Sequence, residues 1–397
     1  MTFTSDLPFR NLKVLDLSQG IAGPYCTHIL WQQGATVYKV EPPQGDWGRA
    51  VGTVVDENSA LSIAYNSGKK SLCVDAGTPE GKELLLELSR QADIVVQNFR
   101  PGVADRLGVG YEAVKASNPD VIYVSISGYG ASGPYALSPA SDSVVQADSG
   151  LMHANINASG KPQRMGLLLV DIVTALYAAQ ATTTALFQRA VENTGRHIEL
   201  NLFDACSALQ AHNFIEHALS KGAPRKEAVS APNGIFETAD GSMTILALNN
   251  NQFARLCKAL GRPEWLDDAR FATNDSRMQH RDTLHAEVAE QLKSQPSAVW
   301  EALFKEHDAL YAPVRDYNDV LAHPQADVNQ TFQALQQFES HSLPLAGLPF
   351  VNQRRPLSAA PDIGQHSVQI LQEAGIAQAA IDQLLEQGIV RQGHQEN

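Results

Sequence analysis

Between Leu12 and Ser127 five short β-type runs, "LKVLDLS", "ATVYKVE", "SLCVD", "DIVVQN" and "VIYVSIS", alternate with stretches of helical character. Such alternation places a crossover helix between successive strands, which argues for a parallel sheet covered by helices, an α/β fold. One helix is strongly marked: "TPEGKELLLELSRQ" offers Thr78 as N-cap, Pro79 at the first helical position, Glu80 near the positive end and an apolar stripe at Leu84, Leu85 and Leu88.

Beyond the alternating region the pattern predicts one long helix, rich in Ala and Thr, from Gly166 to Glu192. A strand and a helix follow in "TGRHIELNLFDACSALQAH". The stretch "SKGAPRKEAVSAPNG" is polar and rich in Gly, Pro and Ala, and reads as a linker. A second unit then opens with a hairpin in "GIFETADGSMTILAL", turning at Asp240-Gly241, and continues with helices around Gln252–Leu260 and Arg281–Lys293. From about Ala312 the chain reads as loops with two short helices, "HSVQILQEAG" and "AAIDQLLEQG".

Charge excludes some functions. With 43 acidic against 30 basic residues, a net charge of -13, the chain has no overall field to hold a nucleic acid or an anionic membrane surface. An anionic ligand must be held by a local basic cluster. Cys26, Cys73, Cys206 and Cys257 are scattered, without CxxC pairs or metal-ligand spacing, as expected of reduced thiols in a cytoplasmic protein that holds no metal. The first residues, "MTFTSDLPFRNLKVLDLS", do not have the form of a signal peptide.

The most apolar run, "LLLVDIVTALYAAQ", contains Asp171. A central Asp costs a membrane span about 2.5–3.5 kcal/mol, which favours a buried helix in a soluble protein. Asp171 is open to two readings at this point. It can cap the helix, or it can be a half-buried carboxylate, kept ionised by the helix dipole and stripped of water, as a nucleophile requires.

Loops at strand ends supply candidate anion ligands. "LSQGIAGPYC" has Gly20 and Gly23 but not GxGxxG, so a nicotinamide site is not expected there. "NFRPGVADRLGVGY" sets Arg100 and Arg106 in a glycine-rich loop suited to phosphate, although a plain solvated loop fits as well. "NSGKKS" adds Lys69 and Lys70, and "EPPQGDWGR" adds Arg49.

Taken in order, "VLDLSQGIAGPYCTHILWQQGATVYKVEPPQGDWGR", "NSGKKSLCVD", "NFRPGVADRLGVGYEAV", "SISGYGASGPY", "VVQADSGLM", "VDIVTALYAAQATTTALFQRA", "GRHIELNLFDA" and "LAGLPFVNQRRPLSAAPDIGQHSVQIL" resemble the class III CoA-transferases over nearly the whole chain. The resemblance implies a Rossmann-like large domain built from both chain ends, a small α+β middle domain and an interlocked homodimer. On this basis residues 1–205 and 325–397 are expected to form the large domain, 206–230 a linker and 231–324 the small domain. It also implies Asp171 as nucleophile, with coenzyme A contacts at Ile21, Ala22, Lys39, Lys69, Lys70, Asn98, Phe99, Arg106 and Leu107. The substrates would be an acyl-CoA and small carboxylic acids, with no tightly bound cofactor.

Two positions depart from related patterns. The 2-methylacyl-CoA racemases of the same fold use the matching Asp as a proton-transfer base, with a His where this chain has Ser141 and an acid near Asn250. The transferases tend to place an aromatic residue at Ser141, so a different acyl pocket is expected. Arg164, a few residues before Asp171, and the pair Arg354 and Arg355 are candidate anchors for a second carboxylate, as in a succinyl donor.

Overall fold

The computed structural model describes residues 7–157, 159–221, 229–339, 341–349 and 354–393. It divides into two compact units, Met1–His212 with Gln330–Asn397, and Asn213–Asn329. The strands are β1 (Lys13–Asp16), β2 (Thr36–Glu41), β3 (Val54–Val55), β4 (Asn58–Ser59), β5 (Lys70–Val74), β6 (Ile94–Gln97), β7 (Ile122–Ser127), β8 (Arg196–Asn201), β9 (Asn233–Glu237), β10 (Ser242–Leu246), β11 (Leu310–Pro313), β12 (Phe332–Phe338), β13 (His341–Ala346) and β14 (Val390–Arg391). The helices through the first part of the chain are α1 (Ala22–Gln32), α2 (Ala60–Asn66), α3 (Pro79–Arg90), α4 (Val103–Arg106), α5 (Tyr111–Ser117), α6 (Asp142–Asp148), α7 (Leu151–Ala154), α8 (Leu169–Glu192), α9 (Leu202–Leu209) and α10 (Ala211–Leu219).

The large unit is built on a seven-stranded sheet in the order β14-β5-β2-β1-β6-β7-β8. All neighbours are parallel except β14, which runs against β5. Alternate residues of the central strands feed opposite faces, as the pleat requires. Val14, Val37, Ile94, Val96 and Val124 pack with α1 and α8 on one side. Leu15, Tyr38, Leu72, Val95 and Tyr123 pack with α3, α5 and the C-terminal helices Ser367–Glu373 and Gln378–Glu386 on the other. In α3 the hydroxyl of Thr78 accepts the Gly81 amide at 3.0 Å, and Leu84, Leu85 and Leu88 are buried, each such leucine contributing about 2 kcal/mol.

The helix α8 is long and apolar enough to cross a membrane by length and composition. Its face toward α1 is instead a run of small buried residues, Ala175, Ala178, Ala179, Thr182 and Ala185, which lets the two helices approach closely. The Thr174 and Thr182 hydroxyls satisfy themselves by donating to the carbonyls of Val170 and Ala178, each at 2.7 Å. We read α8 as a core helix.

The smaller unit carries the three-stranded antiparallel sheet β11-β10-β9 and a core that includes Phe236, Met243, Ile245, Phe253, Trp265 and Trp300. The turn between β9 and β10 falls at Asp240-Gly241, and two of its helices span Asn250–Ala259 and Arg281–Leu292.

Three expectations need correcting. The stretch expected as linker from residue 206 is helical through Leu219, in α9 and α10; of the polar run that follows, residues 222–228 lie outside the described residues. The end of the chain contributes strands, the β12–β13 hairpin and β14, where loops were expected. The long helix starts at Leu169 instead of Gly166.

Candidate active site

The strand order reverses at β1: the chain runs from β1 through β2 to β5 on one side, and from β6 through β7 to β8 on the other. The loops that leave the carboxyl ends of β1 and β6 therefore flank a crevice, the usual ligand site of an open parallel sheet. Asn98 ties the two loops together, donating to the Gln19 carbonyl at 2.7 Å and accepting the Gln19 amide at 2.8 Å. The first loop is tightly packed. Gly20 has φ +76° and a Cβ there would lie 2.0 Å from the Trp47 ring, while a Cβ on Gly23 would lie 2.1 Å from that of Ser18. Ile21 and Ala22 are buried at the start of α1, which has no side-chain cap.

Beneath this loop lies a buried ionic network. Lys69 contacts Asp16 at 2.9 Å and also donates to the Pro24 carbonyl, the Thr27 hydroxyl and the Asn66 side chain. Lys39 lies within β2, pairs with Asp46 at 2.8 Å and donates to the Ser18 carbonyl. Asp46 in turn accepts the amides of Gly20 and Gly48, both at 2.8 Å, so the network holds the loop in place. Arg49 grips Glu41 through two nitrogens, each at 2.7 Å. Burial alone would raise Asp16, but Lys69, Lys39 and the hydroxyls of Ser18 and Thr27 bring it down to about 2.

Among the described residues the Lys39, Lys69 and Arg49 cations are enclosed and bonded within the fold. Lys70 opens β5 and its ammonium pairs with Glu373 at 2.6 Å. Arg355 donates to the carbonyls of Trp31 and Ala35 at 2.8 and 2.9 Å. Arg100 and Arg106 differ: both are exposed, and neither forms an ion pair among the described residues. Arg100 sits in the loop after β6 with Asn98 and Phe99, Arg106 ends the short helix α4 that follows, and Leu107 packs into the core behind it. Phe99 and Arg100 also line a cleft of about 270 Å³ that runs past Ser125, Tyr111 and His197 to β8. The Ser125 hydroxyl bonds His197 Nε2 at 2.9 Å, and the His197 ring stacks on Tyr111 at 4.2 Å.

Asp171 stands in the first turn of α8 but does not cap it; Leu168 occupies the N-cap position. The cap comes from α6, where the buried Asp142 accepts the amides of Val170 at 2.8 Å and Asp171 at 3.2 Å. Those amides are therefore not free to stabilise Asp171 as a carboxylate. Burial, and then the charge of Asp142, push the Asp171 carboxyl up to about 7, which corrects the expectation of a dipole-stabilised anion. Tyr65 shares this environment. Burial, its neighbour Tyr25 at a ring distance of 4.9 Å, and the charge of Asp171 push its phenol up to about 12. Arg164 donates to the Ser143 hydroxyl at 3.0 Å, beside Asp142, and is exposed. Ser141 is the N-cap residue of α6 and makes no side-chain cap bond. Asn250, in the smaller unit, accepts a bond from the buried Arg277 at 3.0 Å.

The sequence profile of CoA-transferase family III matches residues 9–367. The chain belongs to this family. It is 32% identical to the succinyl-CoA:glutarate CoA-transferase of Homo sapiens over 97% of this chain and 90% of that protein. It is 35% identical to the acetyl-CoA:oxalate CoA-transferase of Acetobacter aceti over 80% of this chain and 83% of that one. A CAIB/BAIF family protein from Brucella suis superimposes with a TM-score of 0.83 at 33% identity, covering 92% of this chain and 99% of its own. As a family III enzyme the protein transfers coenzyme A, and its substrates are CoA thioesters.

Asp142 and Tyr65 were not anticipated from the sequence. Asp142 stands 29 residues from the amide it caps, inside the "PASDS" segment where only Ser141 drew notice.

Proposed function

We propose that the enzyme moves coenzyme A between two carboxylic acids through covalent intermediates on Asp171, and that the acids are dicarboxylic. The observation that carries the first part is the state of Asp171: a partly buried carboxylate with no ion pair among the described residues, set at the head of a helix where Asp142 already holds the Val170 and Asp171 amides. Such a group is poorly solvated and basic for a carboxylate, which suits a nucleophile. The second part rests on the relatives named for succinate, glutarate and oxalate, and on Arg164 as an exposed cation near the head of α8.

In this scheme an Asp171 oxygen attacks the thioester carbonyl, and CoA thiolate leaves with the C–S electron pair. The leaving group is good because a thiol has a pKa near ~8.5. The thiolate then attacks the aspartyl carbonyl of the anhydride, releasing the donor acid and leaving an aspartyl-CoA thioester. The acceptor carboxylate attacks that thioester, and the steps run in reverse to release the new acyl-CoA. One thioester replaces another, so the exchange is close to energetically neutral.

Arg100 and Arg106 are assigned to the nucleotide phosphates, with Asn98 and Phe99 beside them. The amides of Ile21 and Ala22, at an uncapped helix start, are assigned to the pantetheine end or to the oxyanion. A second copy of the chain is assigned to the apolar surface of α8. Phe187 and Val191 there are both more than half exposed. The family's interlocked homodimer, working in the cytoplasm, fits that surface.

The value near 7 at Asp171 also suits a proton-transfer base, as in a racemase. That reading lacks its second base, since Ser141 and Asn250 stand where the racemases keep theirs.

The deciding experiment incubates the enzyme and its Asp171→Ala variant with a panel of acyl-CoAs, quenches rapidly and weighs the peptides. A CoA or acyl adduct on the Asp171 peptide of the unmodified enzyme supports the covalent route, and the acyl-CoA that gives most adduct identifies the donor. Deuterium entering the α-carbon of a 2-methylacyl-CoA, with no adduct from any donor, would replace it by the racemase.

A further inference from the structure

Asp142 is 3% exposed and has no cation partner among the described residues. Its Oδ2 holds the amides of Val170 and Asp171, and its Oδ1 accepts Gln146 Nε2 at 2.6 Å. Gln146 extends the brace, donating to the Leu167 carbonyl at 3.2 Å and accepting the Met165 amide at 2.9 Å. The segment that leads into α8 is thus fixed from α6 at four points.

A neutral Asn or Ser could cap a helix equally well. Here the cap is a carboxylate, placed against the backbone of a residue whose own carboxylate has no ion pair among the described residues. Two carboxylates that share a site cannot both be comfortable as anions. Resting on the reading of Asp171 as the nucleophile, we propose that Asp142 is a positioning residue whose negative charge drives Asp171 toward its acylated state.

In the first step the negative charge moves from Asp171 to the departing sulfur. A C–O bond forms between Asp171 and the thioester carbonyl carbon, the C–S bond breaks, and the sulfur departs with the electron pair and the negative charge. Asp171 becomes a neutral acyl derivative, and its repulsion with Asp142 is relieved. Protonation of Asp171 relieves the same repulsion, so the two events share one electrostatic cause. Burial is the larger cause of the raised value at Asp171, and the Asp142 charge adds to it in the same direction. The capping bonds persist throughout, because they involve the backbone of Asp171 and not its side chain.

Other titratable groups face this pair. Tyr65 on α2, with Tyr25 on α1 behind it, lies near Asp171. Cys206 on α9 is pushed up by burial and by the Asp142 charge. Arg164 approaches α6 at Ser143. The shift at Asp171 has two causes, burial and then Asp142.

The test compares the full-length enzyme with Asp142→Asn, which keeps an acceptor oxygen for the helix but removes the charge, and with Asp142→Glu, which keeps the charge. Two quantities are read with succinyl-CoA as probe: the fraction of Asp171 carrying an adduct at fixed acyl-CoA and CoA, and the acid limb of kcat/KM against pH. For Asp142→Asn we expect a melting temperature close to that of the unmodified enzyme. Its acid limb should fall by about one pH unit and its adduct by roughly tenfold, the two moving together because one unit is a factor of ten. For Asp142→Glu the limb stays near its original place, and this variant carries the test if Asp142→Asn does not fold. Adduct and limb unchanged in Asp142→Asn, or a limb lost in a folded Asp142→Glu, would make Asp142 a structural cap only. Absence of any adduct in the unmodified enzyme overturns the nucleophile reading and this proposal together, whereas adduct that is insensitive to Asp142→Asn overturns this proposal alone.

Discussion

Two groups of enclosed carboxylates lie in the large unit and behave in opposite ways. Asp16 is fully buried, touches Lys69 at 2.9 Å and is held at about 2. Asp171 is less buried, has a like charge, Asp142, beside it and no ion pair among the described residues, and stands at about 7. Burial raises both, so the neighbour decides the outcome. The first group spends its charge on the fold, holding the loop after β1 through Lys39 and Asp46; the second leaves the Asp171 carboxyl without such a partner among the described residues, which is what the proposed nucleophile requires.

Removing Asp171 should separate the two roles most sharply. Asp171→Asn is expected to lower kcat by more than about a thousandfold, the scale on which enzymes lose a nucleophile. The same change should leave the fold as stable or more so. The folded-state pKa lies above the unfolded one, so ionisation costs stability progressively as pH rises from about 4 to about 7. At pH 8 the variant should gain on the order of 1–2 kcal/mol in urea unfolding, after allowance for solvent screening. A fully active variant would sink the comparison.

Lys69→Met is the mirror experiment. It strands the Asp16 carboxylate without its partner, and losing one half of a buried pair costs roughly 3–5 kcal/mol. Unfolding at neutral pH should show that loss. Because the Asp16 pKa is depressed in the folded state, its contribution is present above the unfolded value near 4 and disappears as pH falls toward about 2. A Lys69→Met protein of unchanged stability but weakened acyl-CoA binding would return Lys69 to the phosphate site.

The pH profile tests the other half of the contrast in the unmodified enzyme. If the anion of Asp171 is the reacting form, kcat/KM should fall about tenfold per pH unit below about 7 and level off above it. A limb near 4 instead would mean that coenzyme A or a second copy of the chain supplies Asp171 with a counter-charge.

How much of this was legible in the sequence follows from the range over which each feature is encoded. The strands of the parallel sheet and the cap at Thr78 are local patterns, and they fell where the residues placed them. The short strand β14 has two residues and exists only because β5 offers an edge, so no local pattern announces it. The same limit hides the partners of the cations. Lys69 and Arg49 follow loops, and no local pattern announces the buried carboxylates they meet, since Asp16 stands 53 residues away from Lys69. Asp171 was visible as an oddity, a carboxylate in an apolar run. The borrowed cap from Asp142, which sets its surroundings, depends on a contact between two helices that periodicity does not encode.

The smallest effects should come from the exposed cations, where the comparison can be sharpened most finely. Arg100→Ala and Arg106→Ala remove charges with no internal partner, so the fold should be indifferent and the Michaelis constant for acyl-CoA should rise about tenfold each, the usual scale for one charge-assisted contact. Arg164 is a subtler case. It donates to Ser143 at 3.0 Å and has no ion pair among the described residues, and its place near the head of α8 would let it meet the far carboxylate of a dicarboxylic acyl group while leaving the reacting carbonyl untouched. An exposed ion pair contributes at most about 1 kcal/mol, so Arg164→Ala should reduce the preference for succinyl-CoA over acetyl-CoA by about fivefold, with acetyl-CoA turnover unchanged. Equal losses on both donors would assign Arg164 to the helix head and not to the substrate, and would leave the second carboxylate to be held by a residue elsewhere.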